Sequence, residues 1–196
     1  MILCRLCLYA SLAAGLAACA SPPPPPRFAE IRFDQEPPIR LEVGRIEIVD
    51  LFQPSFRPPE VEHEFPVPPA HALEALCRDR FQAAAPGSAN FARFTIVDAS
   101  VRETELPRTE GIEGAFTIDQ TWRYDGRVAV RLEIIDARGS TVRTVAAEAV
   151  RNTTEAEDIS PDERDRAWYE MSRDLVQSLD QELERQIDAT LYPYES

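Results

Sequence analysis

The most regular apolar pattern lies near the C terminus. Trp168, Met171, Leu175, Leu179, Leu183, Ile187 and Leu191 recur at spacings of three and four, the repeat of one helix face. Ser160-Pro161-Asp162-Glu163 supplies an N-cap serine, proline at the first helical position and glutamate at the third, and Tyr192-Pro193 ends the run. A helix of about 30 residues is roughly 45 Å long. Packing of its stripe on a sheet is the expectation; pairing with a partner helix is the alternative.

Upstream, the period changes to two. Arg40 to Asp50 alternates, with Leu41 and Val43 in one phase, Ile46 and Ile48 in the other, and a bulge expected at Gly44. Leu51 to Pro69 reads as a long connection. Ala70 to Ala84 reads as a helix with Leu73, Leu76, Cys77, Phe81 and Ala84 on one face, entered after Pro69 and stopped by Pro86-Gly87. Phe94 to Val101 is a strand. Phe116, Ile118, Trp122 and Tyr124 alternate in another, and Asp125-Gly126 predicts a tight hairpin into Val128, Val130, Leu132 and Ile134. Ala137 to Ser140 turns into a last strand, Thr141 to Val150. This order predicts an α+β two-layer sandwich, with a mostly antiparallel sheet of about five strands and two helices on one face.

The first 18 residues follow neither period. Arg5 is their one charge, and an apolar run from Leu6 to Leu16 follows it, too short to span a bilayer and suited to an export signal. The run ends in Leu16-Ala17-Ala18-Cys19. These four residues resemble the lipobox of bacterial lipoproteins. The resemblance implies cleavage before Cys19, acylation of that cysteine, and an outer-membrane destination with the domain facing the periplasm, since Ala20 follows rather than aspartate. Several acyl chains on one cysteine anchor a domain without a spanning helix. Ser21 and Pro22 to Pro26 then make a stiff extended spacer. The expected division is a signal at 1–18, an acylated cysteine and proline-rich tether at 19–38, and one periplasmic domain at 39–192.

Composition narrows function mostly by exclusion. The chain has 196 residues and a formal net charge of −13, which argues against a nucleic-acid partner. All 21 basic residues are arginine, so lysine nucleophile and Schiff-base chemistry are excluded. The lipobox resemblance implies that Cys4 and Cys7 leave with the signal and that Cys19 carries the lipid; Cys77 alone would then remain, expected as a buried small hydrophobe on its helix rather than a reactive nucleophile. His63 and His71 are the only histidines; with Glu62 and Glu64 they sit at no spacing that fixes a metal. No phosphate-binding glycine loop or nucleophile elbow occurs.

The 51–69 connection is the remaining candidate, because loops this long usually carry function or are disordered. Phe52, Phe56, His63 and Phe65 are its candidate docking residues: exposed, the phenylalanines form a patch; buried, they cap a sheet edge. The element order and lipobox together resemble the periplasmic domains of lipopolysaccharide-transport and transport-auxiliary lipoproteins, and Val61 to Pro69 resembles a stretch of uncharacterised lipoproteins. Neither resemblance carries an active site. The expectation is a membrane-anchored accessory for binding or assembly in the envelope, not an enzyme, with no cofactor or metal and an envelope protein as partner. A lipid or acyl-chain carrier and a periplasmic hydrolase are the alternatives.

Overall fold

The computed structural model describes residues 28–107, 120–156 and 158–190. The signal, Cys19, the proline run, Phe116, Ile118, Leu191 and Tyr192-Pro193 lie outside them. The architecture is α+β: β1 (Ile39–Leu41), β2 (Arg45–Asp50), α1 (Pro69–Arg80), β3 (Phe81–Ala83), β4 (Phe91–Glu105), β5 (Gln120–Ile135), β6 (Thr141–Ala156) and α2 (Pro161–Thr190). The main sheet has four strands in the order β2-β4-β5-β6. It is antiparallel except for the parallel β2–β4 pair, and β1 and β3 form a separate parallel pair.

The inner sheet face is built by alternation, interrupted in β4 by a register shift after Ile96. Phe94, Ile96, Tyr124, Val128, Val130, Leu132 and Ile134 are buried; α2 packs over β5 and β6 with Trp168, Leu175, Leu179, Leu183 and Ile187, and α1 packs over β4. The stripe of α2 is therefore core. Its start is the expected capping box: the Ser160 N–H donates to Glu163 Oε2 at 3.0 Å, and the Glu163 N–H donates to Ser160 Oγ at 3.3 Å. Among the described residues, no helix is long and apolar enough to cross a membrane.

Three local expectations are corrected. Asp125-Gly126 is not a turn. It lies mid-strand, with Gly126 opposite Val101 on one side and Arg151 on the other. A Cβ on Gly126 would stand 2.7 Å from both Leu175 Cδ1 and Met171 Cε, so glycine is there to let α2 approach the sheet. Gly44 marks a switch of sheets rather than a bulge: a Cβ there would stand 2.1 Å from the Ser88 carbonyl oxygen. Finally, α1 ends at Arg80, and Phe81 begins a strand, because its ring is buried against Phe94 and it pairs with Ile39.

The folded body also starts ahead of residue 39. Ile31 and Phe33 are in the core, and Asp79 holds this segment by accepting from the Arg32 guanidinium at 2.8 and 3.0 Å and the Phe33 N–H at 2.9 Å. Arg80 ties the same segment to both helices. Its guanidinium donates to the Pro37 carbonyl and through Nε to both oxygens of Asp180, at 3.1 and 3.0 Å.

Candidate binding cleft

The 51–69 connection is shaped by the edge of β4. β2 covers that edge from Phe91 to Ile96, and the Leu51 N–H still donates to the Ile96 carbonyl at 3.0 Å. The register of β4 then shifts between Ile96 and Asp98. The chain leaves the edge there and returns antiparallel: the Val61 N–H donates to Val101 O at 2.9 Å, and the Glu103 N–H donates to Pro59 O at 2.8 Å. Between these two seams, over Ala99, a cavity of about 320 Å³ opens against the first turns of α1.

The two halves of the connection differ. The C-terminal half is core. Phe65 is 3% exposed and stacks on Trp168 with centroids 4.8 Å apart, and the Ser172 hydroxyl donates to the Val67 carbonyl at 2.8 Å. The N-terminal half rims the cavity. Phe52 is partly buried, its N–H fixed by Asp50 Oδ1 at 2.9 Å, whereas Phe56 is 67% exposed. Phe56 also has φ +54°, a left-handed backbone that a bulky side chain adopts only under constraint from its surroundings. Its ring meets the His63 imidazole edge-on at 5.1 Å. Of the four sequence candidates, Phe52, Phe56 and His63 thus line one cavity and Phe65 does not.

The polar lining is acidic. Asp50, Glu62 and Glu74 share the wall with His63 and His71, so both histidines face the same space. Glu74 is paired with Arg78 at 3.2 Å. Glu62 is buried in a single 3₁₀ turn, and its Oε2 accepts from the Val101 N–H at 3.4 Å. Nothing in the local sequence marks Glu62 as buried, because its cover comes from β4. No serine, threonine or cysteine lines the cavity, and among the described residues no group of three metal-ligating side chains converges. Cys77 lies in the core, where burial pushes its thiol up to about 12, against a smaller lowering by Arg78; it is not a nucleophile at neutral pH.

A second polar cluster sits at the far end of the inner face. The Tyr124 hydroxyl donates to Glu103 at 2.9 Å, and Arg164 pairs with the buried Glu155 at 3.3 Å. Burial raises the Glu155 carboxyl above its ordinary range, opposed by Tyr124 and Arg164. This cluster is packed under α2 beside Trp168, which crosses the Tyr124 ring edge-on at 5.6 Å.

No protein-family profile matches the chain, and no curated protein matches its sequence. Solved structures with a similar arrangement include a minor lipoprotein from Acinetobacter baumannii, at 10% identity and a TM-score of 0.40, covering 80% of this chain and 98% of that one. The rare lipoprotein B from Shewanella oneidensis is similar at 10% identity and a TM-score of 0.39, covering 74% and 95%. A Caulobacter crescentus protein described as a lipoprotein is similar at 15% identity and a TM-score of 0.39, covering 73% and 85%.

Proposed function

We propose that the chain is an outer-membrane lipoprotein, acylated at Cys19, whose periplasmic domain binds a partner protein of the envelope through the rim of the β4-edge cleft. The anchor is supported by Leu16-Ala17-Ala18-Cys19 and the proline spacer behind it. The docking role is carried by Phe56, a large aromatic held out in solvent on a constrained backbone at the mouth of a concave site. The role we read for it is binding: the cleft's lining offers imidazoles and carboxylates but no serine, threonine or cysteine to serve as an acyl-transfer nucleophile.

The carrier alternative asks for an apolar space between helices and sheet. That interface is close-packed, with Leu175, Leu179 and Leu183 fully buried and only a hydrogen's width left at Gly126.

Two measurements test the proposal. Cys19→Ala is expected to abolish acyl labelling and membrane retention; unchanged labelling refutes the anchor. A photoreactive phenylalanine analogue at position 56, irradiated in intact cells, is expected to form an adduct with one envelope protein. The same analogue at exposed Val150, on the far strand, is expected to form none. Equal adducts at both positions, or none at 56, refute the docking site.

A further inference from the structure

The buried polar atoms of the cleft say what it can hold. Glu62 is 2% exposed, and among the described residues no donor reaches its Oε1. His63 Nδ1 is buried and equally without a protein partner. The other ring nitrogen, Nε2, lies 3.7 Å from Glu64 Oε1; in the tautomer that carries its proton on Nε2, the buried Nδ1 is an acceptor. Two buried polar atoms without a partner among the described residues thus belong to side chains that line one small cavity, an arrangement folded proteins rarely leave unresolved.

Among the described residues, the one other ring N–H in the wall, on His71, bonds neither atom. No arginine lines the cavity, and the sequence has no lysine. An anion is a poor occupant, although α1 begins here. Pro69 has no N–H, and the His71 and Ala72 N–H groups both donate to the Pro68 carbonyl, at 3.0 and 3.2 Å. The usual anion-binding amides of a helix start are thus mostly spent. The wall is instead negative through Asp50, Glu62 and Glu74, with aromatic and proline surface from Phe52, Pro54 and Phe56 between.

We propose that the cleft receives a basic side chain of the partner protein, with its cationic head at Glu62 Oε1 and His63 Nδ1 and its alkyl stem along Phe52 and Phe56. The proposal rests on the docking role given to Phe56 and adds the chemistry that the partner must present. An arginine fits best, since its planar fork offers several donors and stacks on aromatic faces. A volume of about 320 Å³ suits one inserted side chain rather than a large ligand.

The test uses the full-length lipidated protein in detergent micelles, with 4-fluorophenylalanine in place of Phe56 as a local ¹⁹F reporter. N-acetyl-arginine methylamide is titrated against its neutral isostere, N-acetyl-citrulline methylamide. The arginine probe is expected to shift the ¹⁹F signal saturably, with the citrulline probe weaker by about tenfold or more, as loss of one charge-assisted hydrogen bond implies. Glu62→Gln keeps an acceptor for the Val101 N–H and is expected to erase the difference between the probes, with an unchanged melting curve as the control for folding. Added salt is expected to weaken the arginine probe alone. Equal responses to the two probes, or no response to either, overturns the cation site, and this comparison in the unsubstituted cleft does not depend on any variant folding. In cells, the partner peptide cross-linked at position 56 is expected to carry arginine or lysine within a few residues of the adduct. An adduct with no basic residue nearby leaves the docking role standing and sinks the cation site; no adduct sinks both.

Discussion

Among the described residues, Arg80 and Asp180 form the one ion pair in which both side chains are almost wholly removed from water, at 1% and 7% exposure. Arg80→Ala removes the guanidinium from three partners at once: the Asp180 carboxylate, the Pro37 carbonyl and, at 3.3 Å, the half-exposed Glu184. What remains is a buried carboxylate with no counterion. Breaking a buried pair on one side costs about 3–5 kcal/mol, a large fraction of the 5–15 kcal/mol that typically holds a domain together. Replacing both members with apolar residues, Arg80→Met with Asp180→Leu, removes the stranded charge, and the double variant is expected to lie within about 2 kcal/mol of the parent.

The same reasoning fixes a pH signature. Burial raises the Asp180 carboxyl above its ordinary range even though Arg80 pulls it down. A carboxyl raised on folding favours the folded state most below its unfolded value, and that contribution is lost as pH climbs through the folded value. Arg80→Ala deletes the lowering influence and raises the group further, so the variant's deficit is expected to shrink as pH falls from about 7 to about 5. Urea unfolding followed by the fluorescence of core residue Trp168 measures both effects. A deficit below about 1 kcal/mol at neutral pH, or one that does not change with pH, or a double variant no better than the single, would refute the argument.

The remaining predictions concern packing, a second carboxyl and a cap. Gly44→Ala is expected to destabilise more than Gly126→Ala, because its Cβ would strike the backbone oxygen of Ser88, whereas the Gly126 Cβ meets the ends of two flexible side chains; the larger Gly126→Val is expected to cost about 1–3 kcal/mol in urea unfolding. Glu155 is raised by burial, so its contribution to stability is present below its unfolded value and lost as pH rises through the folded one; Glu155→Gln is expected to flatten the loss of stability between mildly acid and neutral pH, and an unchanged pH profile would count against it. Ser160→Ala removes the hydroxyl of the capping box and is expected to lower stability by about 1 kcal/mol, a reduced thermal midpoint being the readout.

How far the sequence could be read follows from how local each cause is. The last helix was legible to its first residue because its stripe, its cap and its proline all lie within one stretch of chain. The β5 strand shows a local signal losing to a tertiary one. Asp-Gly is a strong hairpin signal in isolation, yet Tyr124, Gly126 and Val128 all fall in one phase of the alternation, and that continuity was the sign of a single strand. The reason for the glycine, the approach of Leu175 and Met171, lies about fifty residues away in sequence and leaves no local trace. Arg80 and Asp180 were invisible for the same reason: each looks like an ordinary charged residue on a helix, at the C-terminal end of α1 and within α2.

The cleft sits between these cases, and its origin explains why only half of it could be read. A long connection rich in phenylalanine is visible in the sequence as a break in period, so Phe52, Phe56, His63 and Phe65 were nameable from the chain alone, but not that Phe65 is buried while Phe56 is exposed. What turns that connection into a concave site is the register shift in β4 between Ile96 and Asp98. It parts the edge covered by β2 from the edge to which Pro59 and Val61 return, and the gap between them over Ala99 is the cavity. The same return carries Glu62 beneath the edge, where the Val101 N–H caps one carboxylate oxygen and the other has no donor among the described residues. Straightening β4 there therefore probes the whole construction. Deletion of Val97, the 40%-exposed residue at the shift, is expected to restore continuous pairing along β4 and draw the connection against its edge. Amide exchange at Val61 and Val101 reports whether the returning seam persists, and the 56-position photoadduct reports whether the cleft survives. A deletion variant that folds with a closed edge and still forms that adduct would show that docking needs only the exposed ring and not the cavity behind it.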